Sequence, residues 1–62
     1  MIAVTRLSDA PLVLNAELIR TVEARPDTYI TLTDGDRIIV KDSVEDVVGK
    51  VVEYRRRLRL AA

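Results

Sequence analysis

Cysteine and histidine are absent from this chain, and so are tryptophan and phenylalanine. The first two absences exclude disulfides and zinc sites built on thiolate or imidazole. That exclusion matters because the chain has only 62 residues. A domain of this size buries only about 60% of the surface its unfolded form exposes, so it folds alone with little margin. Small scaffolds compensate with disulfides, a structural metal or oligomerisation, and here self-association is the remedy left open. A cysteine-free composition also fits a reducing compartment. Aromatic side chains are limited to Tyr29 and Tyr54, which counts against a stacking platform for single-stranded bases. No apolar run approaches the roughly 18 residues that cross a bilayer. Arg6 interrupts any signal-peptide pattern at the start. The chain therefore reads as soluble and cytoplasmic.

Without His or Cys, only carboxylates remain for acid–base work, and their spacing supports no catalytic pair. Asp34 and Asp36 flank Gly35, but a calcium loop needs about twelve residues with several spaced oxygens and a terminal Glu. Both, like Asp9, read as turn residues. There is no Gly-rich phosphate loop and no nucleophile elbow. The expectation is a non-enzymatic chain with no catalytic, metal or cofactor site.

Ten basic and ten acidic residues cancel, which argues against a general polyanion binder. The balance is uneven, however. Residues 54–62 carry Arg55, Arg56, Arg57 and Arg59 and no acid. Such an end suits nucleic acid phosphates, an anionic lipid surface or an acidic protein. It also suits the plain role of complementing the negative end of a helix dipole.

The pattern along the chain predicts five short strands and one helix. Residues 2–7 are rich in β-formers, Ser8-Asp9-Ala10-Pro11 is a turn, and residues 12–14 form the return strand. Residues 15–17 read as a tight turn and residues 18–24 as a third strand, whose β-branched side chains disfavour helix. Arg25-Pro26-Asp27 breaks the chain, since proline lacks the donor a central strand needs. Residues 28–33 and 37–40 then form a hairpin around Asp34-Gly35, a dipeptide suited to a two-residue loop. That loop would put Ile30 and Leu32 on one face with Ile39 and Arg37, and Tyr29, Thr31, Ile38 and Val40 on the other. Both faces would carry large apolar groups, so the second needs other strands or another subunit. A three-residue loop with a bulge would change this pairing.

Ser43 caps a helix over residues 44–58, with Asp46 approximating the second half of a capping box. Val44, Val47, Val48, Val51, Val52, Tyr54 and Leu58 share a wide apolar face. Arg55 falls inside that stripe. Asp46–Lys50 and Glu53–Arg57 are spaced for i,i+4 pairs worth a few tenths of a kcal/mol each. Valine and Gly49 are mediocre helix formers, so the helix depends on packing rather than propensity. The fold class is α+β: a small antiparallel sheet of about five strands and one C-terminal amphipathic helix, in a single domain over residues 1–62. It is expected as a β-rich homo-oligomer, with Tyr29, Ile38, Val40, Val44, Val47, Val48, Val51 and Tyr54 in the core or between subunits. Arg6 reads as an outward charge on a sheet edge. Asn15 and Asp27 suit hydrogen bonds to their own turn backbones.

In order and spacing, Met1-Ile2, Val4-Thr5-Arg6-Leu7, Leu14-Asn15, Leu18-Ile19 and Val22-Glu23 resemble the FlbD/SwrD family of small flagellar proteins. The likeness continues through Pro26-Asp27-Thr28, Ile30-Thr31-Leu32, Gly35, the run from Val40-Lys41-Asp42-Ser43 to Val47-Val48, and the basic ending. Ser8-Asp9 departs from the Asn-Gly-like turn usual in that family. The resemblance implies a cytoplasmic protein that supports flagellar motility and swarming, acting through the motor's stator near the membrane at the flagellar base. Its partners would be itself and motor components, with peripheral membrane contact open. Candidate partner contacts are Arg6, Asn15, Glu23, Pro26, Asp27, Thr28, Arg55, Arg56 and Arg57. A looser similarity runs to the carbon storage regulator family of RNA-binding dimers, in which Arg6 would contact RNA. Lys41-Asp42-Ser43 departs from the basic segment that family carries before its helix.

Overall fold

The computed structural model describes residues 1–61. Strands β1 (Ile2–Thr5) and β2 (Pro11–Leu14) form an antiparallel hairpin. A 3-10 turn over Ala16–Leu18 leads into β3 (Ile19–Arg25), β4 (Asp27–Leu32) and β5 (Arg37–Val40), which form an antiparallel sheet in the order β3-β4-β5. Helix α1 (Val44–Ala61) follows. The fold class is α+β, as the pattern predicts. An isolated bridge between Arg6 and Val40 joins the two sheets. Beside it, Leu7 N–H donates to the Ile39 carbonyl (3.1 Å) and Lys41 N–H to the Thr5 carbonyl (2.8 Å). Hydrogen bonding thus runs from β2 through β1 into β5, β4 and β3.

Most boundaries lie within a residue or two of the expected ones. The first strand stops at Thr5, two residues early, because Arg6 N–H turns to the Ala10 carbonyl (2.8 Å). Asp9 takes a φ of 72°, filling the left-handed position a glycine ordinarily holds in such a turn. The turn after Asn15 is a single 3-10 turn, with Asn15 Oδ1 accepting Glu17 N–H at 3.0 Å. Asp27 makes no comparable bond among the described residues. It opens β4 opposite Arg25, so Pro26 alone forms the corner between the two strands.

The β4–β5 register corrects the two-residue expectation by one position. Thr28 faces Val40, Ile30 faces Ile38 and Thr31 faces Arg37. The loop is Thr33-Asp34-Gly35, closed by Gly35 N–H to the Leu32 carbonyl (2.9 Å) and Leu32 N–H to the Asp36 carbonyl (2.8 Å). Gly35 sits at φ 94°, the left-handed residue of a three-residue hairpin loop with a bulge. Asp34 Oδ1 steadies it by accepting Asp36 N–H at 2.9 Å. The slip has a physical reason. It gathers Thr28, Ile30, Ile38 and Val40 on one face instead of splitting the apolar groups between two. Tyr29, Thr31, Arg37 and Ile39 are left on the outer face, with Tyr29 and Ile39 half-buried.

The core consists of Ile2, Val4, Leu14, Ala16, Ile30, Val40 and Val47, ringed by half-buried Leu12, Ile19, Val22, Leu32, Ile38, Val51 and Tyr54. Alternation decides membership on the strands. Ile2 and Val4 point inward while Ala3 between them is exposed.

Helix α1 starts where expected, with Ser43 Oγ accepting Asp46 N–H at 3.1 Å, and runs three residues beyond the expected end. It rests on β1 and β3 along a narrow line. Val47 is fully buried and Val51 and Tyr54 are half-buried. Val48 and Val52, expected on the buried face, are instead 47% and 60% exposed. A sheet this small touches one line of the helix and leaves its flank open. Gly49 lies on the solvent side, where a methyl group would meet no atom within 4 Å. Gly49→Ala is therefore expected to stabilise the chain by about 1 kcal/mol through helix propensity. In thermal unfolding this is a rise in Tm of roughly 4–8 °C for a domain of this size.

Candidate functional site

The junction between β5 and α1 is the most connected polar feature. Asp42 follows the last residues of β5 and precedes the Ser43 cap, which aims its carboxylate back across β1. Its Oδ1 accepts Thr5 N–H at 2.8 Å and its Oδ2 accepts Lys50 Nζ at 2.8 Å. Lys50 Nζ also donates to the Ala3 carbonyl at 2.6 Å. Lys50 thus reaches back to Asp42 and does not pair with Asp46 as its i,i+4 spacing predicts. The reason is geometric: Asp42 is fixed beside β1 and its side chain is only 13% exposed, whereas Asp46 is exposed. The Lys50 hydrogen bond, then the Thr5 amide, hold the Asp42 carboxyl below its usual range, and partial burial opposes them. Sequence reasoning missed this latch. The available signal was an acid placed just before a helix cap, with a lysine two turns into the helix.

Next to it, Lys41 Nζ pairs with Asp9 of the β1–β2 turn. The segment Lys41-Asp42-Ser43 therefore has its lysine paired, its acid engaged and its serine capping. That leaves it poorly suited to bind phosphates.

The second feature is the basic end of α1. Arg56 lies bidentate on Glu53, with Nη2 at 2.9 Å and Nε at 3.1 Å, and Arg57 Nε reaches the same carboxylate at 3.2 Å. The Glu53–Arg57 pair is as expected, and Arg56 joins it. These bonds, Arg56 first, lower the Glu53 carboxyl below its ordinary value and raise Arg56 above its own. Among the described residues, Arg55 and Arg59 have no ionic partner, and both are exposed. Two of the four arginines thus share one carboxylate, and the cluster keeps most of its positive charge.

The structure does not bring the remaining candidates together. Arg6 is exposed at the junction of the two sheets. Asn15 is occupied in its own turn. Glu23 pairs with Arg25 at 2.8 Å near the Pro26 corner. Pro26 and Asp27 are exposed there. Thr28 is only 6% exposed and offers little surface. Pro26, Asp27 and Thr28 line an open cleft of about 400 Å³ with Leu7, Lys41 and Val44. Among the described residues no three acidic side chains converge on a metal position. No helix is long and apolar enough to cross a membrane.

No curated protein and no solved structure matches the chain. A family model does, over residues 1–59 of the 62-residue chain, and that family is described as flagellar and swarming motility proteins. The matched span runs from β1 through nearly all of α1 and includes the Asp42 latch, the Ser43 cap and the arginine-rich helix end. On this match the chain belongs to the FlbD family of flagellar and swarming motility proteins.

Proposed function

We propose that this chain supports flagellar motility by raising motor output, through contact between the basic end of α1 and an acidic surface of a cytoplasmic motor or stator component. The observation that carries the reading is Arg55, exposed and without an ionic partner among the described residues, on a stretch of helix whose residues 55–61 are all exposed. Glu53 pairs with Arg56 and Arg57, the two residues that follow Arg55 in the helix. An exposed array of guanidinium groups attracts an acidic surface at long range and then binds its carboxylates in a planar, two-pronged way that lysine cannot match. The same charge suits a site close to an anionic inner membrane surface, consistent with action at the flagellar base.

The test is charge reversal of Arg55, Arg56 and Arg57 to Glu in swarming cells. Swarming speed is expected to fall toward that of cells lacking the protein, while the variant accumulates normally. Unchanged speed at normal protein level would remove the basic end from the mechanism. Binding of purified protein to vesicles of anionic lipid, absent with neutral lipid and unaccompanied by any motor-component contact, would reassign the arginines to the membrane.

A further inference from the structure

We propose that two copies of this chain pair through the open flank of α1, antiparallel, about a two-fold axis passing beside Val52. Each residue turns an α-helix by about 100°, so Glu45, Val48, Val52 and Arg59 fall along one strip. All four are exposed, Val48 and Val52 at 47% and 60%. The strip adjoins the line through Val47 and Val51 that packs on the sheet, so it belongs to the same helix but faces away from its own core.

Its charges are arranged about its centre. Glu45 lies seven residues before Val52 and Arg59 seven residues after it. Among the described residues neither has an ionic partner within the protomer. Neighbouring charges on the helix are already spoken for: Lys50 by Asp42, and Arg56 and Arg57 by Glu53. Two such strips laid antiparallel with Val52 against Val52 bring each Glu45 to the Arg59 of the other copy, while each Val48 meets the aliphatic stem of the other copy's Arg56. A parallel arrangement would set Arg59 against Arg59 and Glu45 against Glu45. The charge pattern therefore selects both the partner and the direction. A partner of one charge sign would be repelled at one end of the strip, whereas a second copy is complementary at both ends. Axes about 8–10 Å apart are ordinary for such packing. Arg55 and Arg56 flank the strip three and four residues past Val52, and Arg57 lies around the helix from it. The pairing is read at Glu45, Val52 and Arg59, which the motility test leaves unchanged.

The test uses the full chain in sedimentation equilibrium over a wide concentration range, with circular dichroism as the control for folding. The wild type is expected to pass from monomer to dimer with rising concentration. Val52→Lys is expected to stay monomeric and folded throughout. Glu45→Arg and Arg59→Glu each set like charges together at two places in the dimer. Each is expected to weaken it at least about tenfold. Combining them restores opposite pairs and is expected to recover most of the affinity. Helix-dipole effects cannot mimic that recovery, because both substitutions oppose the dipole. Since the chain has no cysteine, Val52→Cys gives a single thiol beside the axis. It is expected to oxidise to a linked dimer far faster than Val13→Cys on the exposed edge of β2. A wild type that remains monomeric, a Val52→Lys dimer as tight as wild type, a double variant no better than the single ones, or equal crosslinking at both cysteines would each overturn the pairing.

Discussion

Ile30→Ala is expected to remove about 2–5 kcal/mol of folding stability, a large share of what the chain has. Ile30 sits in the middle of the central strand β4, fully buried, with Val22 and Ile38 opposite it on the two neighbouring strands. Truncation of a buried isoleucine to alanine costs about 2–5 kcal/mol, from lost transfer free energy and the cavity left behind. At about 0.05–0.15 kcal/mol per residue, a chain of 62 residues has only roughly 3–9 kcal/mol of stability to lose. One side chain therefore carries a large share of the fold's stability. Urea titration followed by circular dichroism measures it. A cooperative transition displaced by less than about 1 kcal/mol would mean that β4 does not occupy the centre of the core. Val13→Ala, on the exposed side of β2, is the contrasting control and is expected to change stability by less than about 0.5 kcal/mol.

Asp42→Asn is expected to cost about 1–2 kcal/mol at neutral pH, because it replaces a charged acceptor that ties β1 to the start of α1. The figure sits low in the range for charged hydrogen bonds because Lys50 is 41% exposed and its attraction is screened by water. The pH dependence gives the sharper test. The carboxyl is held below its ordinary value of 3.8 in the folded chain, chiefly by Lys50 and then by the Thr5 amide. A group whose folded value is depressed adds stability above its unfolded value and loses it as pH falls through the folded one. The stability gap between wild type and Asp42→Asn should therefore be constant above about pH 5 and should close as pH falls below about 4. Glu53 is shifted in the same direction, but it is present in both proteins and cancels in the difference. A gap of the same size at pH 2.5 would show that the carboxylate charge is not what holds the latch.

Local chemistry was legible wherever a residue's role depends on its immediate neighbours. Ser43 caps because the chain turns into a helix there, and Asn15 closes its own turn because its amide oxygen reaches the amide two residues on. The β4–β5 pair, the corner at Pro26 and the α+β class follow from the same kind of short-range pattern. Registers and partners were less legible. Asp34-Gly35 is compatible with loops of two or three residues, and only the demand that Thr28, Ile30, Ile38 and Val40 share one buried face selects the longer one. Lys50 has an acid one turn away at Asp46 and another two turns away at Asp42. Helical spacing favours the first, yet the fold places the second beside β1. The wide valine stripe of α1 marks it as amphipathic, but which half is covered depends on how much sheet lies beneath it.

By itself the amino-acid sequence determined that this chain folds without a disulfide, as short strands followed by a capped helix, because those properties rest on composition and on contacts between near neighbours. Tertiary structure alone decided the hairpin register, the Asp42–Lys50 latch and the exposure of Val48 and Val52. Each of these depends on residues far apart in the chain meeting over one core, and one line of valines is all that a sheet of this size can cover.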